Sequence, residues 1–83
     1  MSTVRVGGVR FRIHPQDHDP VHVHGRYAGT VAVVELRADG SVALAARPDK
    51  LIPSNAKRSD VRRILDAAAE HFEELVIAWE SMQ

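Results

Sequence analysis

The last third of the chain carries the pattern that most limits its fold. Val61, Ile64, Leu65, Ala68, Phe72, Leu75, Val76 and Trp79 follow an i, i+3, i+4, i+7 rhythm, which over about five turns describes a helix that is apolar along one stripe. Ser59, followed by Asp60, is the expected N-cap, and the helix is expected over about residues 59–81. Such a stripe must be covered, most simply by the apolar face of a sheet.

The first half of the chain supplies that sheet. "VRFRI", Val9 to Ile13, is apolar at odd and basic at even positions, the period-two signature of a half-buried strand. Val21, Val23 and Tyr27 alternate in the same way with His22, His24 and Arg26. Tyr27-Ala28-Gly29-Thr30 reads as a tight turn into "TVAVVEL", and Asp39-Gly40 as a hairpin before "SVALA". The expected fold is α+β, a small antiparallel meander of about four strands packed on one C-terminal amphipathic helix. The sheet spans about residues 4–46 and a proline-containing connection 47–58, all within one domain over 1–83. The 83 residues, 45% hydrophobic and 27% charged, suit a small folded domain. A core this small is marginal, which keeps a homo-oligomer or a bound partner in view.

Alternation leaves Arg10, Arg12, Arg26, His22 and His24 on the opposite face of the sheet. Residues 14–25, "HPQDHDPVHVHG", hold four of the five histidines. Without cysteine, a metal would need His, Asp or Glu ligands. His22 and His24, about 6.5–7 Å apart along one strand face, could chelate a divalent metal with His18, His14 or Asp17 from the preceding loop. Arg10, Arg12 and Arg26 oppose that reading, because fixed cations disfavour a divalent ion.

The arginines suit a second chemistry. Histidines titrate near pH 6.5, so His18, His22 and His24 can act as general base and general acid, with Arg10, Arg12, Arg26 and Asp17 as binding residues around a phosphate. That combination cleaves RNA without metal or other cofactor. A third reading is structural: Asp17-His18-Asp19-Pro20 is a good turn sequence, and histidine is tolerated on a solvated strand face. The sequence leaves the three open.

Eleven basic and eleven acidic residues cancel, so the whole chain has no net pull toward nucleic acid, and local patches decide. On the helix, Lys57, Arg58, Arg62 and Arg63 crowd the start and Glu70, Glu73, Glu74 and Glu80 the end, opposite to what the helix dipole favours. Either salt screens them, or the basic end attracts an anion or an acidic partner. His71 falls on the shoulder of the stripe as a boundary residue, and Tyr27 and Trp79 are expected in edge and core positions. Neither a signal-peptide core nor a membrane-spanning run is visible, which points to a cytoplasmic protein with no membrane contact.

"DHDPVHVHGRYAG", from Asp17 to Gly29, resembles the Asp-His-x-Pro-Pro-His-x-His signature of a bacterial family of small proteins, domain of unknown function 4160. The likeness extends to "GGVRFRIH" before the motif and to a final helix with His71 and Trp79. Val21 stands where that family usually has a second proline. The resemblance points to Asp17, His18, Pro20, His22 and His24. It implies a component of a toxin-antitoxin-type pair, with a cognate small protein as partner and RNA as a target.

Overall fold

A computed structural model describes residues 2–14 and 21–82. Asp17, His18 and Pro20 lie outside the described residues. Six strands are present among those described: β1 (Ser2–Val6), β2 (Val9–Ile13), β3 (His22–Tyr27), β4 (Thr30–Leu36), β5 (Val42–Leu44) and β6 (Leu51–Ile52). All pair antiparallel in the order β1-β2-β3-β4-β5, and β6 also lies on β4. The α+β meander is thus as expected, with two further strands. β1 adds an edge, and β6 arises inside the stretch read as a connection. β6, two residues long, has no local pattern to announce it and exists by pairing with β4, whereas β1 does alternate Val4 and Val6 with Thr3 and Arg5 ahead of the Gly7-Gly8 turn, a signal that the count of four strands passes over.

Two of the hairpins close with two-residue loops. Val6 pairs Val9 and Tyr27 pairs Thr30, and the residues between have φ of 58° and 78° at Gly7 and Gly8, and 51° and 81° at Ala28 and Gly29. Positive φ at both central positions matches the right-handed twist of the flanking strands, as in type I′ turns. At the third hairpin, Asp39 Oδ1 accepts from the Ser41 backbone N–H (2.9 Å) and hydroxyl (2.6 Å).

β5 and β6 share one edge of β4. Leu44 pairs Val34 and Leu51 pairs Ala32, while Val33 bridges the gap through Ala45 N–H to Val33 O and Val33 N–H to Lys50 O, both 2.9 Å. The intervening excursion carries Arg47 and Asp49 out beside β3's histidines.

The helix is two segments, α1 (Arg58–Glu70) and α2 (Phe72–Glu80), parted at His71 with φ −114° and ψ 31°. Lys57, not Ser59, occupies the N-cap, and it makes no side-chain cap bond. A straight helix over these residues would run about 34 Å at 1.5 Å per residue, longer than the 32 × 25 × 25 Å molecule. The break lets the stripe stay on the twisted sheet, with α1 over β3, β4 and β5 and α2 reaching β1. His71 keeps continuity, donating to Ala67 O and accepting from Leu75 N–H.

Val9, Phe11, Ile13, Val23, Val34 and Leu36 from the sheet close on Ile64, Ala67, Ala68 and Leu75 from the helices. Tyr27 and Trp79 pack partly buried against this core. Gly25 continues the inner row of β3, and Ile64 lies directly over it.

Candidate anion-binding and acid-base face

Inner packing determines what the outer face shows. Because Val9, Phe11 and Ile13 are buried, Arg10 and Arg12 point outward and are exposed. Because Val23 and Gly25 are buried, His22, His24 and Arg26 leave on the same outer side. Register then sets their neighbours across the strands. Thr3, Arg12, His24 and Val33 form one row, and Arg5, Arg10, Arg26 and Val31 the next.

The second row places three guanidinium-bearing residues directly opposite one another on adjacent strands, about 4.8 Å apart at the backbone. Like charges in that relationship are destabilising. No ion pair to Arg5, Arg10 or Arg26 occurs among the described residues. Arg5 is not among the residues expected on this face, although Val4 and Val6 flank it in strand alternation just before the Gly7-Gly8 turn.

The other end of the face belongs to histidine. The rings of His14 and His24 meet edge-on at 4.6 Å between centroids, and those of His22 and His24 lie 5.9 Å apart at 64°. His24 is therefore in the middle of three imidazoles. His14, at the end of β2, joins the pair expected on β3, whereas His18 and Asp17 lie outside the described residues. His71 is in the helix layer on the far side of the sheet, where its Nδ1 is 2.8 Å from Glu74 Oε1.

Arg47 reaches this end from the β5–β6 excursion. Its Nη1 is 3.4 Å from His22 Nε2, and its Nη2 donates to Asp49 Oδ2 at 2.9 Å. The Arg47 hydrogen bond holds the Asp49 carboxyl below its ordinary range, and His24 contributes in the same direction. No sequence signal marks Arg47, because its position depends on how β5 and β6 divide the edge of β4.

Arg10, Arg12, His14, His24 and Arg26 line an open cleft of about 400 Å³. Its side chains can offer guanidinium donors to an anion and imidazoles to a proton in transit. Among the described residues, no group of three His, Asp or Glu has the geometry to hold a metal ion.

Of the basic residues near the start of α1, Arg63 reaches the arginine end, whereas Arg58 and Arg62 lie beside Leu44 and Leu51. The Arg63 guanidinium lies 5.3 Å over the Tyr27 ring, and its Nη2 is 3.9 Å from where a Cβ on Gly8 would stand. No helix of the described residues is long and apolar enough to cross a membrane.

A family model described as "Domain of unknown function (DUF4160)" matches residues 8–80. No curated protein and no solved structure matches the chain.

Proposed function

The chain belongs to the DUF4160 family, and from that premise we propose that it is a toxin-antitoxin-type protein whose outer sheet face binds and cleaves RNA. The observation that carries this reading is the contact of His24 with both His14 and His22, beside the row of Arg5, Arg10 and Arg26. Two imidazoles within reach of one phosphodiester can divide the work. One accepts the 2′-hydroxyl proton as the 2′-oxygen attacks phosphorus, and the other gives a proton to the departing 5′-oxygen. The products are a 2′,3′-cyclic phosphate and a free 5′-hydroxyl, with the proton count unchanged. Arg12, opposite His24 in the cross-strand row, faces the non-bridging oxygens, and its fixed charge favours the negative charge that builds there. His18 and Asp17 belong to the same site by sequence.

The test is expression in a bacterial host with and without His22→Ala/His24→Ala, paired with purified protein on a labelled RNA. Growth arrest and a cyclic-phosphate product from the wild type alone support the reading. Equal arrest by the double variant removes the histidines from the activity.

A second reading is favoured by the same row of arginines: a non-catalytic module whose outer face is covered by an acidic surface of a cognate small protein. Co-purification with such a partner, in the absence of any RNA cleavage, would select it.

A further inference from the structure

The arginine end opens into a second cleft, which shares Arg10 and Arg26 with the first. Arg5, Gly8, Arg10, Arg26, Tyr27 and Gly29 line a depression of about 540 Å³ beside the two hairpin tips, and no carboxylate is among the described residues lining it. Arg63, from the helix layer, lies over the ring of Tyr27, one of the residues of this cleft. This cationic pole stands at the opposite end of β2 and β3 from His14 and His22. Along β3, Arg26 is four residues from His22, roughly 13 Å in an extended strand.

We propose that this cleft is a separate phosphate subsite, holding a backbone phosphate of the nucleic acid other than the one presented to the histidines. The proposal rests on the RNA reading above and gives it a substrate class: a polynucleotide long enough to span both ends of the face. Three arginines in direct cross-strand register repel one another, and an anion between them removes that repulsion. Planar guanidinium groups match phosphate oxygens with paired donors, which lysines would not. Among the described residues, the outward strand positions between the two ends carry no Phe, Tyr or Trp, so contacts to the sugar-phosphate chain are the main hold this face offers.

The test compares the wild type, Arg5→Gln/Arg10→Gln and His22→Ala/His24→Ala with pyrophosphate and a single-stranded RNA hexamer, at matched ionic strength. Thermal melting is the readout for the first ligand and fluorescence anisotropy for the second. Pyrophosphate is expected to raise the melting temperature of the wild type and of the histidine variant. In the arginine variant, which itself melts higher than the wild type without anion, pyrophosphate affinity falls at least tenfold. Hexamer binding weakens too, and the slope of log K against log salt becomes shallower by about 0.7 for each phosphate that is no longer neutralised. A wild type indifferent to pyrophosphate, or an arginine variant that responds as strongly, overturns the subsite. Pyrophosphate binding that depends on the arginines, with no hexamer binding by any form, overturns the nucleic-acid ligand and leaves free phosphate anions. Hexamer binding intact in the arginine variant, with cleavage abolished only in the histidine variant, sinks the subsite and spares the RNA reading.

Discussion

Ile64 covers Gly25 so closely that a Cβ on the glycine would stand 2.5 Å from Ile64 Cγ2 and 2.8 Å from Phe11 Cε1. Helix and strand approach here at a distance only glycine permits. The contact fixes which side of β3 faces inward, and so it fixes that His22, His24 and Arg26 face outward. A slip of one residue would exchange the faces.

Replacing Gly25 with alanine should therefore strain the core and not merely stiffen the chain. Overpacking costs about 1–3 kcal/mol, and in a domain of this size each kcal/mol lowers the melting temperature by about 4–8 °C. Ile64→Ala alone loses about 2–5 kcal/mol by leaving a cavity. In the double variant the new methyl occupies part of that cavity, so the losses should fall short of additive. Strict additivity in melting experiments would show that Ile64 is not the obstacle.

Ala28 sits at φ 51° in the β3–β4 turn, a region that costs a residue with a Cβ roughly 1–2 kcal/mol. Asparagine is tolerated there far better, and Asn-Gly is the preferred pair for this turn. Ala28→Asn is expected to raise the melting temperature by several degrees, about 4–8 °C per kcal/mol recovered. A lower melting temperature would contradict the turn assignment.

The same particulars explain what could be read from sequence. Val9, Phe11 and Ile13 announced their strand and the direction of Arg10 and Arg12, because alternation is a local property. The stripe from Val61 to Trp79 announced a helix on the sheet. The break at His71 stayed hidden, since it answers the size and twist of the sheet and not any residue near it. Arg47 is likewise invisible as a site residue, because its place depends on the route between β5 and β6, whereas Arg5 is legible in the alternation of Val4 and Val6 about it, ahead of Gly7-Gly8, and its omission is a missed hairpin. His14 was legible as a candidate, but only the register of β2 against β3 brings its ring to His24.

Acid stability offers a check on the third hairpin. The Ser41 hydroxyl and backbone N–H hold the Asp39 carboxyl below its ordinary value of 3.8. A carboxyl depressed on folding contributes stability that is full above its unfolded value and lost as pH falls through the folded one. Asp39→Asn lacks that contribution. It should be less stable than the wild type at neutral pH, with the difference closing as pH drops below about 4. Asp49, depressed by Arg47, acts in the same window, so Asp39→Asn/Asp49→Asn should flatten the acid limb further. Parallel melting curves from pH 7 to pH 2 for all three proteins would remove both carboxyls from the balance.

The arginine row predicts an ordering that ordinary surface residues would not give. Arg10 lies between Arg5 and Arg26, whereas each of those, among the described residues, has Arg10 as its one directly opposite arginine. Threonine suits an exposed strand position and removes the charge. Arg10→Thr should therefore stabilise the protein more than Arg5→Thr or Arg26→Thr, by roughly twice if the pairs act independently. Screening shortens the reach of charge from about 30 Å at 0.01 M salt to about 3 Å at 1 M, so the three variants should converge on the wild type as salt rises. Thermal melting across that range, with chloride as the only anion, gives the comparison. Equal effects at the three positions, or effects that persist at high salt, would mean that the guanidinium groups splay apart into water. The clustered charge would then exert no strain, and a bound phosphate would have none to relieve.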